Sequence, residues 1–307
     1  MSEISSKIQV SVCIPAHNEA ATIGSLLAGL LRQEQNKYSL KEILVYSDAS
    51  TDSTVKVCAS LNNEKIHCIE GKKRIGKLQG LGTLFEASVG DVIVILDADI
   101  AFFDDNTLDN LISPFLLDPS LGLVGGNPLP TPAHTFIEQA MQTSISAYRN
   151  IALHLRGGAN PYNCHGSILA LSRRFAEIVE LPKKVYSDDT YLYFSCLYHH
   201  FKFAYIPEAK VWYAVPNNLK DAVAQYTRFL SMDEHSLQKF NQLLEGEYAV
   251  PFLLKFRYLF KEFMSHPLAT ITMYGIKLYC KYFPQPGQDT HDIWDSVKST
   301  KNDLSNV

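Results

Sequence analysis

The sequence predicts an α/β fold built on a mostly parallel sheet flanked by helices, and two features of its first half indicate this class. Short runs of β-branched residues alternate with segments of helical periodicity, which is the order of repeated β-α units. The run VIVIL at Val92–Leu96 is apolar at every position, as expected of a strand covered by helices on both faces of a sheet. At 307 residues the chain is long enough for one large domain of this kind and an appendage.

The β-α alternation can be followed along the chain. Strands are predicted at 9–14, 42–46, 65–69, 92–96, 121–126, 168–171, 203–206 and 211–214. Helices are predicted at 19–33, 53–61, 77–88, 133–155, 187–198 and 219–230. Open α/β sheets bind ligands outside the carboxyl ends of their strands, so we expect the functional site at that edge.

The composition is that of an ordinary globular protein. Apolar residues make up 46% of the chain and charged residues 20%, which argues against the disordered and collagen-like classes. The formal net charge of -4 provides no basic surface on the scale of the whole chain, so nucleic acid is not expected as a partner. The six cysteines include no CxxC pair and are predicted to be reduced, mostly buried thiols.

The start of the chain and its hydropathy predict a cytoplasmic active site. The opening MSEISSKIQVSVCIP lacks the charged start, apolar run and cleavage site of a secretory signal. No stretch reaches the roughly 20 continuous apolar residues that span a bilayer.

The C-terminal region, residues 245–307, is predicted to be helical and amphipathic and to end in a polar tail. Within 248–283, five basic side chains accompany a single acid, Glu262, and aromatic residues are interleaved with them. A cationic, aromatic stretch of helical period can lie in a membrane interface, so peripheral contact with an anionic membrane is one expectation. Packing of this region on the core is the other, and the sequence leaves both open.

Three carboxylates follow strands whose carboxyl ends should meet. Asp48 lies just past the second strand, and Asp97 and Asp99 lie just past the fourth. A lone D-x-D is a weak signal, because strand ends often carry Asp in turns and caps. Its position after VIVIL, together with Asp48 and an upstream Gly76-Lys77, favours a ligand-binding role at this edge.

Several segments occur in an informative order: VSVCIPAHNEAATIGSLL, EILVYSDASTDST and IGKLQGLGTLFEASVGDVIVILDAD. Over residues 8–230 this order resembles the family 2 glycosyltransferases, which are inverting enzymes of the GT-A fold. The resemblance implies that Asp99 and Asp97 bind a metal, Mg²⁺ or Mn²⁺. It also implies a donor-binding set formed by Pro15, Ala16, Asn18, Glu19, Asp48, Gly76, Lys77, Asp97, Ala98 and Asp99.

Three later segments are similar to elements of the polysaccharide synthases in that family. Cys164-His165-Gly166-Ser167 resembles an acceptor-side C-G-S element with a histidine inserted, which places Gly166 and Ser167 on the acceptor side. Ser187-Asp188-Asp189 resembles T-E-D, so Asp189 is the implied general base and Asp188 its catalytic neighbour.

The third of these segments, QYTRF, resembles Q-x-x-R-W. By that resemblance Gln225 and Arg228 approach the diphosphate, and Phe229 takes the place of the tryptophan near the acceptor. Because Phe229 replaces the tryptophan and no membrane-spanning helices are expected, addition of a single sugar or a short chain is predicted rather than processive synthesis.

The chemistry of sugar transfer explains these residue types. A nucleotide sugar leaves as a diphosphate whose negative charge grows in the transition state, and a divalent metal with Arg228 can stabilise it. Mg²⁺ takes one or two carboxylates plus substrate phosphates, so a sparse D-x-D is adequate. A positioned carboxylate that takes the acceptor's proton contributes about 10² to 10⁴ in rate.

The sequence therefore predicts transfer of a sugar from a UDP- or GDP-sugar to a hydroxyl of a carbohydrate or lipid-linked acceptor. The predicted domains are a catalytic domain at 1–244, with a nucleotide-sugar half at 1–100 and an acceptor half at 101–244, and the C-terminal region. A sugar nucleotidyltransferase is one alternative, although PAHNEAATIG lacks the Gly-rich, basic loop that those enzymes usually carry. A non-catalytic nucleotide-sugar-binding module is another, and the acids Asp97, Asp99 and Asp189 argue against it.

Overall fold

A computed structural model of the chain describes residues 7–182, 187–230, 234–283, 297–301 and 304. Its eight strands are β1 (Ile8–Ala16), β2 (Tyr38–Ser47), β3 (Ile66–Glu70), β4 (Val92–Leu96), β5 (Ile100–Phe102), β6 (Leu121–Pro130), β7 (Ile168–Ser172) and β8 (Lys202–Tyr213). The helices of the first half are α1 (Ile23–Arg32), α2 (Thr54–Ser60), α3 (Lys77–Ala87), α4 (Thr107–Ile112), α5 (Pro114–Leu117) and α6 (Phe136–Leu153). The later helices are α7 (Arg173–Ala176), α8 (Asp188–Tyr198), α9 (Leu219–Leu230), α10 (Asn241–Tyr248), α11 (Phe252–Ser265) and α12 (Pro267–Tyr282).

All eight strands belong to one sheet in the order β3-β2-β1-β4-β7-β6-β8-β5. The four strands β3, β2, β1 and β4 are parallel, and β6 and β8 are also parallel to each other. β7 is antiparallel to both its neighbours, and β5 is antiparallel to β8. The predicted α/β class with a mostly parallel sheet is confirmed.

The central strands are buried on both faces, as the apolar run at 92–96 predicts. Val92, Val94 and Leu96 pack with α1 and α4 on one face of the sheet. Ile93 and Ile95 pack with α3 and α8 on the other. Successive side chains of a strand point to opposite faces, so a five-residue apolar strand contributes to both layers of the core.

Several predicted boundaries were wrong: β2 begins earlier than predicted, at Tyr38, and β6 ends later, at Pro130. The segments 203–206 and 211–214 form one strand, β8, because the strand continues through a register shift opposite Gly125 and Asn127 instead of turning at Pro207. The helix predicted from residue 19 begins at Ile23. Residues 19–22 form a turn in which the backbone N–H groups of Thr22 and Ile23 both donate to the Glu19 carbonyl.

The C-terminal helices pack on α6. Ala269, Met273 and Ile276 of α12 are buried against Ala140 and Met141 of α6. The opposite faces of α11 and α12 remain exposed, so packing on the core does not remove the amphipathic surface. No helix in the described part of the chain is long and apolar enough to cross a membrane.

The buried thiols also match the expectation from the sequence. All six cysteines are free, and only Cys68 is less than fully buried. The boundary proposed at residue 244 falls inside α10, and the division into domains stays a prediction.

Candidate active site

The carboxyl edge of the sheet brings the predicted acids together. Asp97 directly follows β4, and its N–H donates to the Ser167 carbonyl at 3.2 Å, which joins the end of β4 to the loop before β7. Asp48 directly follows β2, and its N–H donates to the Ala16 carbonyl at the end of β1 at 2.8 Å. The nucleotide-sugar side and the acceptor side of the predicted site therefore meet at one edge.

Asp48 is 5% exposed and holds the turn that begins α3. Its carboxylate accepts the N–H groups of Ile75 at 2.7 Å and of Gly76 at 2.9 Å. Gly76 has φ of 85°, a left-handed conformation that favours glycine, and it is the N-cap of α3. By binding the two residues before α3, Asp48 positions Lys77, the first residue of that helix.

Lys77 connects the two halves of the site. Its ammonium lies 2.8 Å from Asp97 Oδ1 and 2.9 Å from Asp188 Oδ2. Burial alone would lower the pKa of Lys77, but the Asp188 and Asp97 carboxylates beside it raise the pKa above its usual range. Lys77 stays charged and ties the D-x-D segment after β4 to the first turn of α8.

Asp189 is held by the loop that resembles C-G-S. Its Oδ2 accepts the Gly166 N–H at 3.0 Å, and its Oδ1 accepts the Thr190 N–H at 2.7 Å and the Ser187 hydroxyl. This carboxylate is fixed in orientation, as a positioned base must be.

Gly166 lies beside Lys77, Asp188 and Asp189. A Cβ atom at Gly166 would lie 3.1 Å from Lys77 Nζ, 3.4 Å from Asp188 Oδ2 and 3.6 Å from Asp189 Oδ2. A Cβ here would be tight against the Lys77 ammonium and in ordinary contact with both carboxylates, so a larger side chain would have to share this space with them.

Asp99 lies in a strongly acidic environment. Burial, followed by the nearby Asp97 and Glu19 carboxylates, raises the pKa of Asp99 to about 7, although Lys301 acts to lower it. Oxygen ligands with an excess of negative charge suit a hard divalent cation. Within the described residues, no group of three or more His, Cys, Asp or Glu side chains is arranged to hold a metal ion.

Lys301 is a site residue that the sequence analysis missed. Its ammonium forms an ion pair with Glu19 Oε1 at 2.5 Å. Lys301 lies in a polar tail with no motif around it, and nothing in the sequence relates it to Glu19, which is 282 positions earlier. Only the folded chain brings the two together.

Other predicted residues lie at the edge of this cluster. Asn18 has φ of 53° and accepts the Thr51 N–H at 2.8 Å, so it joins the loop after β1 to the loop after β2. His165 is exposed, and its ring lies 5.8 Å from the ring of Tyr213.

Within the described residues, Gln225, Arg228 and Phe229 of α9 form no hydrogen bond or ion pair with the acids of the site. Arg228 lies over the Phe229 ring at 5.8 Å, and the Phe229 side chain is 53% exposed. In the parts of the chain that the structure describes, Arg228 forms no ion pair with a carboxylate. The roles of Gln225, Arg228 and Phe229 stay predictions.

Comparison with known proteins assigns the chain to a family. The profile described as "Glycosyl transferase family 2" matches residues 11–178, more than half of the chain. The chain belongs to glycosyl transferase family 2 and is a glycosyltransferase. The resemblance inferred from its sequence motifs is thereby confirmed.

Curated relatives include synthases of a bacterial polysaccharide. The chain is 23% identical over 224 residues to a poly-beta-1,6-N-acetyl-D-glucosamine synthase of Staphylococcus aureus strain COL, covering 72% of this chain and 53% of that protein. A synthase of the same name from Staphylococcus epidermidis is 21% identical over 223 residues. The chain thus spans about half the length of the curated relatives it matches.

Solved structures show the same fold. A mannosyltransferase from Pyrobaculum calidifontis, in complex with GDP-Man and Mn²⁺, has a TM-score of 0.60 at 22% identity and covers 92% of this chain and 78% of its own. A glucosyl-3-phosphoglycerate synthase from Mycobacterium tuberculosis, in complex with Mg²⁺ and UDP, has a TM-score of 0.53 at 19% identity, covering 73% of this chain and 79% of its own. These likenesses establish the GT-A glycosyltransferase fold.

Proposed function

We propose that this protein transfers a sugar, with inversion, from a UDP- or GDP-sugar to a hydroxyl of a carbohydrate or lipid-linked acceptor. The observation that carries the proposal is the convergence of Asp97, Asp188 and Asp189 around Lys77 and Gly166, beside Asp99. One carboxylate pair belongs to the donor side and the other to the acceptor side. Acids contributed from both sides of one sheet edge suit an in-line displacement.

On the donor side, Asp99 is the residue proposed to hold Mg²⁺ or Mn²⁺, with Asp97 as its second carboxylate. The metal supplies charge stabilisation of the departing diphosphate. Asp97 also accepts from Lys77, so it presents Oδ1 to the ammonium and keeps Oδ2 for other partners. Solved neighbours that contain Mn²⁺ or Mg²⁺ beside a nucleotide support the assignment.

On the acceptor side, Asp189 is the proposed general base. The Gly166 N–H and the Thr190 N–H fix its two oxygens, and the remaining lone pairs can receive a proton from an acceptor hydroxyl. Asp188 is bound to Lys77 and would orient the site electrostatically rather than take the proton. One base acting opposite one leaving group gives inversion.

The substrate classes follow from the comparisons and from the chemistry of the site. Neighbours of the same fold were solved with GDP-Man or with UDP, which supports a nucleoside diphosphate donor of either kind. The curated relatives are polysaccharide synthases, so the acceptor proposed here is a carbohydrate or a lipid-linked sugar in polysaccharide or glycolipid biosynthesis.

Product analysis with Asp189→Asn tests the function. The purified full-length chain, Mn²⁺ and a panel of UDP- and GDP-sugars and acceptors should release free nucleoside diphosphate. Asp189→Asn should lower turnover about 10²- to 10⁴-fold while nucleotide binding persists, because the base is lost and the donor side is intact. Release of pyrophosphate would instead identify a nucleotidyltransferase. Undiminished turnover in Asp189→Asn would remove this residue from the base role.

We further propose that the active site works at the cytoplasmic face of an anionic membrane, to which α11 and α12 bind peripherally. Phe252, Phe256 and Phe260 stack in sequence along α11 at ring distances of 6.3 and 5.7 Å, and all three are exposed. Lys255 and Lys261 of the same helix are exposed as well. A row of aromatic rings flanked by cations suits the boundary between acyl chains and anionic headgroups.

A further inference from the structure

The C-terminal strap, residues 297–301, lies across the carboxyl edge of the sheet. Residues Lys298–Thr300 form a short 3-10 turn, and the Ser299 N–H donates to Asp221 Oδ2 at 3.0 Å. Asp221 is in the first turn of α9, and the Thr300 side chain is buried. The strap is thus anchored on the acceptor half of the molecule before it reaches the donor side.

Lys301, the last residue of the strap, contacts the loop after β1 on the proposed donor side. Its ammonium donates to the carbonyls of His17 at 2.6 Å and Asn18 at 2.9 Å, and it pairs with Glu19 Oε1 at 2.5 Å. These three acceptors use all three donors of an ammonium group. The Lys301 side chain is 15% exposed and the Glu19 side chain 10%, so the pair is largely shielded from water.

The same ammonium influences the acids proposed to hold the divalent cation. Glu19 lies in the loop after β1, and β1 pairs with β4, the strand that ends just before Asp97 and Asp99. The Lys301 ammonium also limits the rise that burial causes in the pKa of Glu19 and of Asp99. Lys77, the other lysine of the site, is already bound between Asp97 and Asp188. Lys301 therefore supplies positive charge at the Glu19 end of the cluster.

A divalent metal ion that bound without a nucleotide would lie near the Lys301 ammonium. A divalent ion within several ångströms of a shielded ammonium is repelled, and that repulsion is strong where water is excluded. A nucleoside diphosphate brings negative charge that attracts both cations. The electrostatics therefore favour arrival of the metal with the donor and oppose arrival of the metal alone.

We propose that Lys301 is a built-in cation of the donor site, placed there by the C-terminal strap, and that it makes binding of the divalent cation depend on the diphosphate of the donor. This inference rests on the proposed function, because it assumes a metal-assisted donor site at Asp99. In this proposal Lys301 provides the charge, and the hydrogen bond from Ser299 to Asp221 keeps the strap in place.

Mn²⁺ binding to the full-length chain, followed by electron paramagnetic resonance of the free ion, tests the proposal. Lys301→Met should bind Mn²⁺ alone at least about tenfold more tightly than the unaltered chain, because one nearby positive charge is removed. The gain in Mn²⁺ affinity on adding UDP or GDP should shrink in this variant. Lys301→Arg keeps the charge and should behave as the unaltered chain.

Two further variants test whether the effect is specific to Lys301 and to the strap. Lys41→Met removes one charge from an exposed position on β2 and should leave Mn²⁺ binding unchanged. Asp221→Ala removes the anchor of the strap without changing Lys301, and it should shift Mn²⁺ affinity in the same direction as Lys301→Met. Circular dichroism and melting temperature would show whether each variant is folded.

The outcomes separate this inference from the proposed function. Equal or weaker Mn²⁺ binding by folded Lys301→Met and Asp221→Ala would overturn the role of Lys301 and leave the function standing. Absence of Mn²⁺ binding in the unaltered chain, with and without UDP and GDP, would instead contradict the proposed metal site itself. Asp99→Asn, which removes the principal ligand, gives the baseline for that comparison.

Discussion

At the scale of single residues, Lys77 organises the acids of the site. Its ammonium forms ion pairs with Asp97 and Asp188, and these bring the end of β4 to the start of α8. Without a positive charge between them, these two partly buried carboxylates would repel each other. Gly76 and Lys77 at the start of α3 therefore have a structural role that does not depend on contact with a nucleotide.

Asp99 gives a prediction for pH dependence. Because burial and neighbouring carboxylates raise its pKa to about 7, the folded state favours the protonated acid more than the unfolded state does. Ionised Asp99 therefore costs stability, and the cost appears as pH rises from the unfolded pKa near about 4 through about 7. Without metal, Asp99→Asn should melt at a higher temperature than the unaltered chain at pH 8 and at the same temperature near pH 4.

The size of the effect follows from the relation between stability and melting temperature. For a chain of this size the difference at pH 8 should be about 2–4 °C for each kcal/mol of relieved penalty. Scanning calorimetry from pH 4 to pH 8 with a chelator measures it. An exposed acid such as Asp105 provides the matched control, and Asp105→Asn should show no such trend. A constant difference across the pH range would mean that Asp99 does not titrate there.

The residues that the sequence could and could not predict differ in one respect. Asp48, Asp97 and Asp99 follow strands of one sheet, so the topology of the sheet places them at one edge before any coordinates are known. Asp189 came from a resemblance, and the fold brings it to the same cluster through Gly166. Lys301 follows no strand and matches no motif, so its ion pair with Glu19 could be found only in the folded chain.

At the scale of elements, the strands and helices with a strong apolar period were predicted best. β4 and α9 begin and end where their patterns predict. Prediction was wrong at β8, because Pro207 and Glu208 have the composition of a turn although the strand continues past them. Whether a polar pair ends a strand depends on its partner strand, and here β6 absorbs the irregularity through a shift of register.

The exposed face of α11 gives a prediction for membrane binding. The full-length chain should float with liposomes that contain anionic lipid and should bind less to neutral ones, because both aromatic burial and charge attraction contribute. Phe252→Ser combined with Phe256→Ser should abolish flotation, because it removes two of the aromatic rings that would enter the membrane interface. Both rings are exposed, so the double variant is expected to fold normally.

A control at an exposed apolar residue on a different surface makes this test specific. Leu117→Ser alters a side chain that is 85% exposed on α5, a helix outside the C-terminal region, and should leave flotation unchanged. Binding that is equally strong in the double serine variant would assign the membrane contact to another surface. Failure of the unaltered chain to float would contradict membrane association altogether.

At the scale of the whole molecule, one sheet joins the predicted donor half and the predicted acceptor half at its carboxyl edge. β1, β2 and β4 lead to the residues of the proposed donor side, whereas α8 and the loop before β7 supply Asp189 and Gly166. Ion pairs and hydrogen bonds cross between the halves at Lys77 and again at the C-terminal strap. Substrate binding at this edge should therefore stabilise the fold as a unit.

Ligand-induced stabilisation follows as a prediction. A nucleoside diphosphate at 100 times its dissociation constant adds about 2.7 kcal/mol to the stability of a protein that binds it only when folded. UDP or GDP with Mn²⁺ should therefore raise the melting temperature by several degrees, and the same nucleotide with a chelator should raise it less. Asp99→Asn should lose the metal-dependent part. If neither nucleotide shifts the melting temperature with or without Mn²⁺, the donor class proposed here is wrong.

The sequence by itself determined the α/β class, the family and the acids after β2 and β4, because periodicity and strand order are local properties of the chain. The tertiary structure decided which groups become partners: Lys77 with Asp97 and Asp188, Gly166 with Asp189, and Lys301 with Glu19. The physical reason is that ion pairs and backbone contacts depend on distance in space. The fold sets that distance for residues that are far apart in sequence.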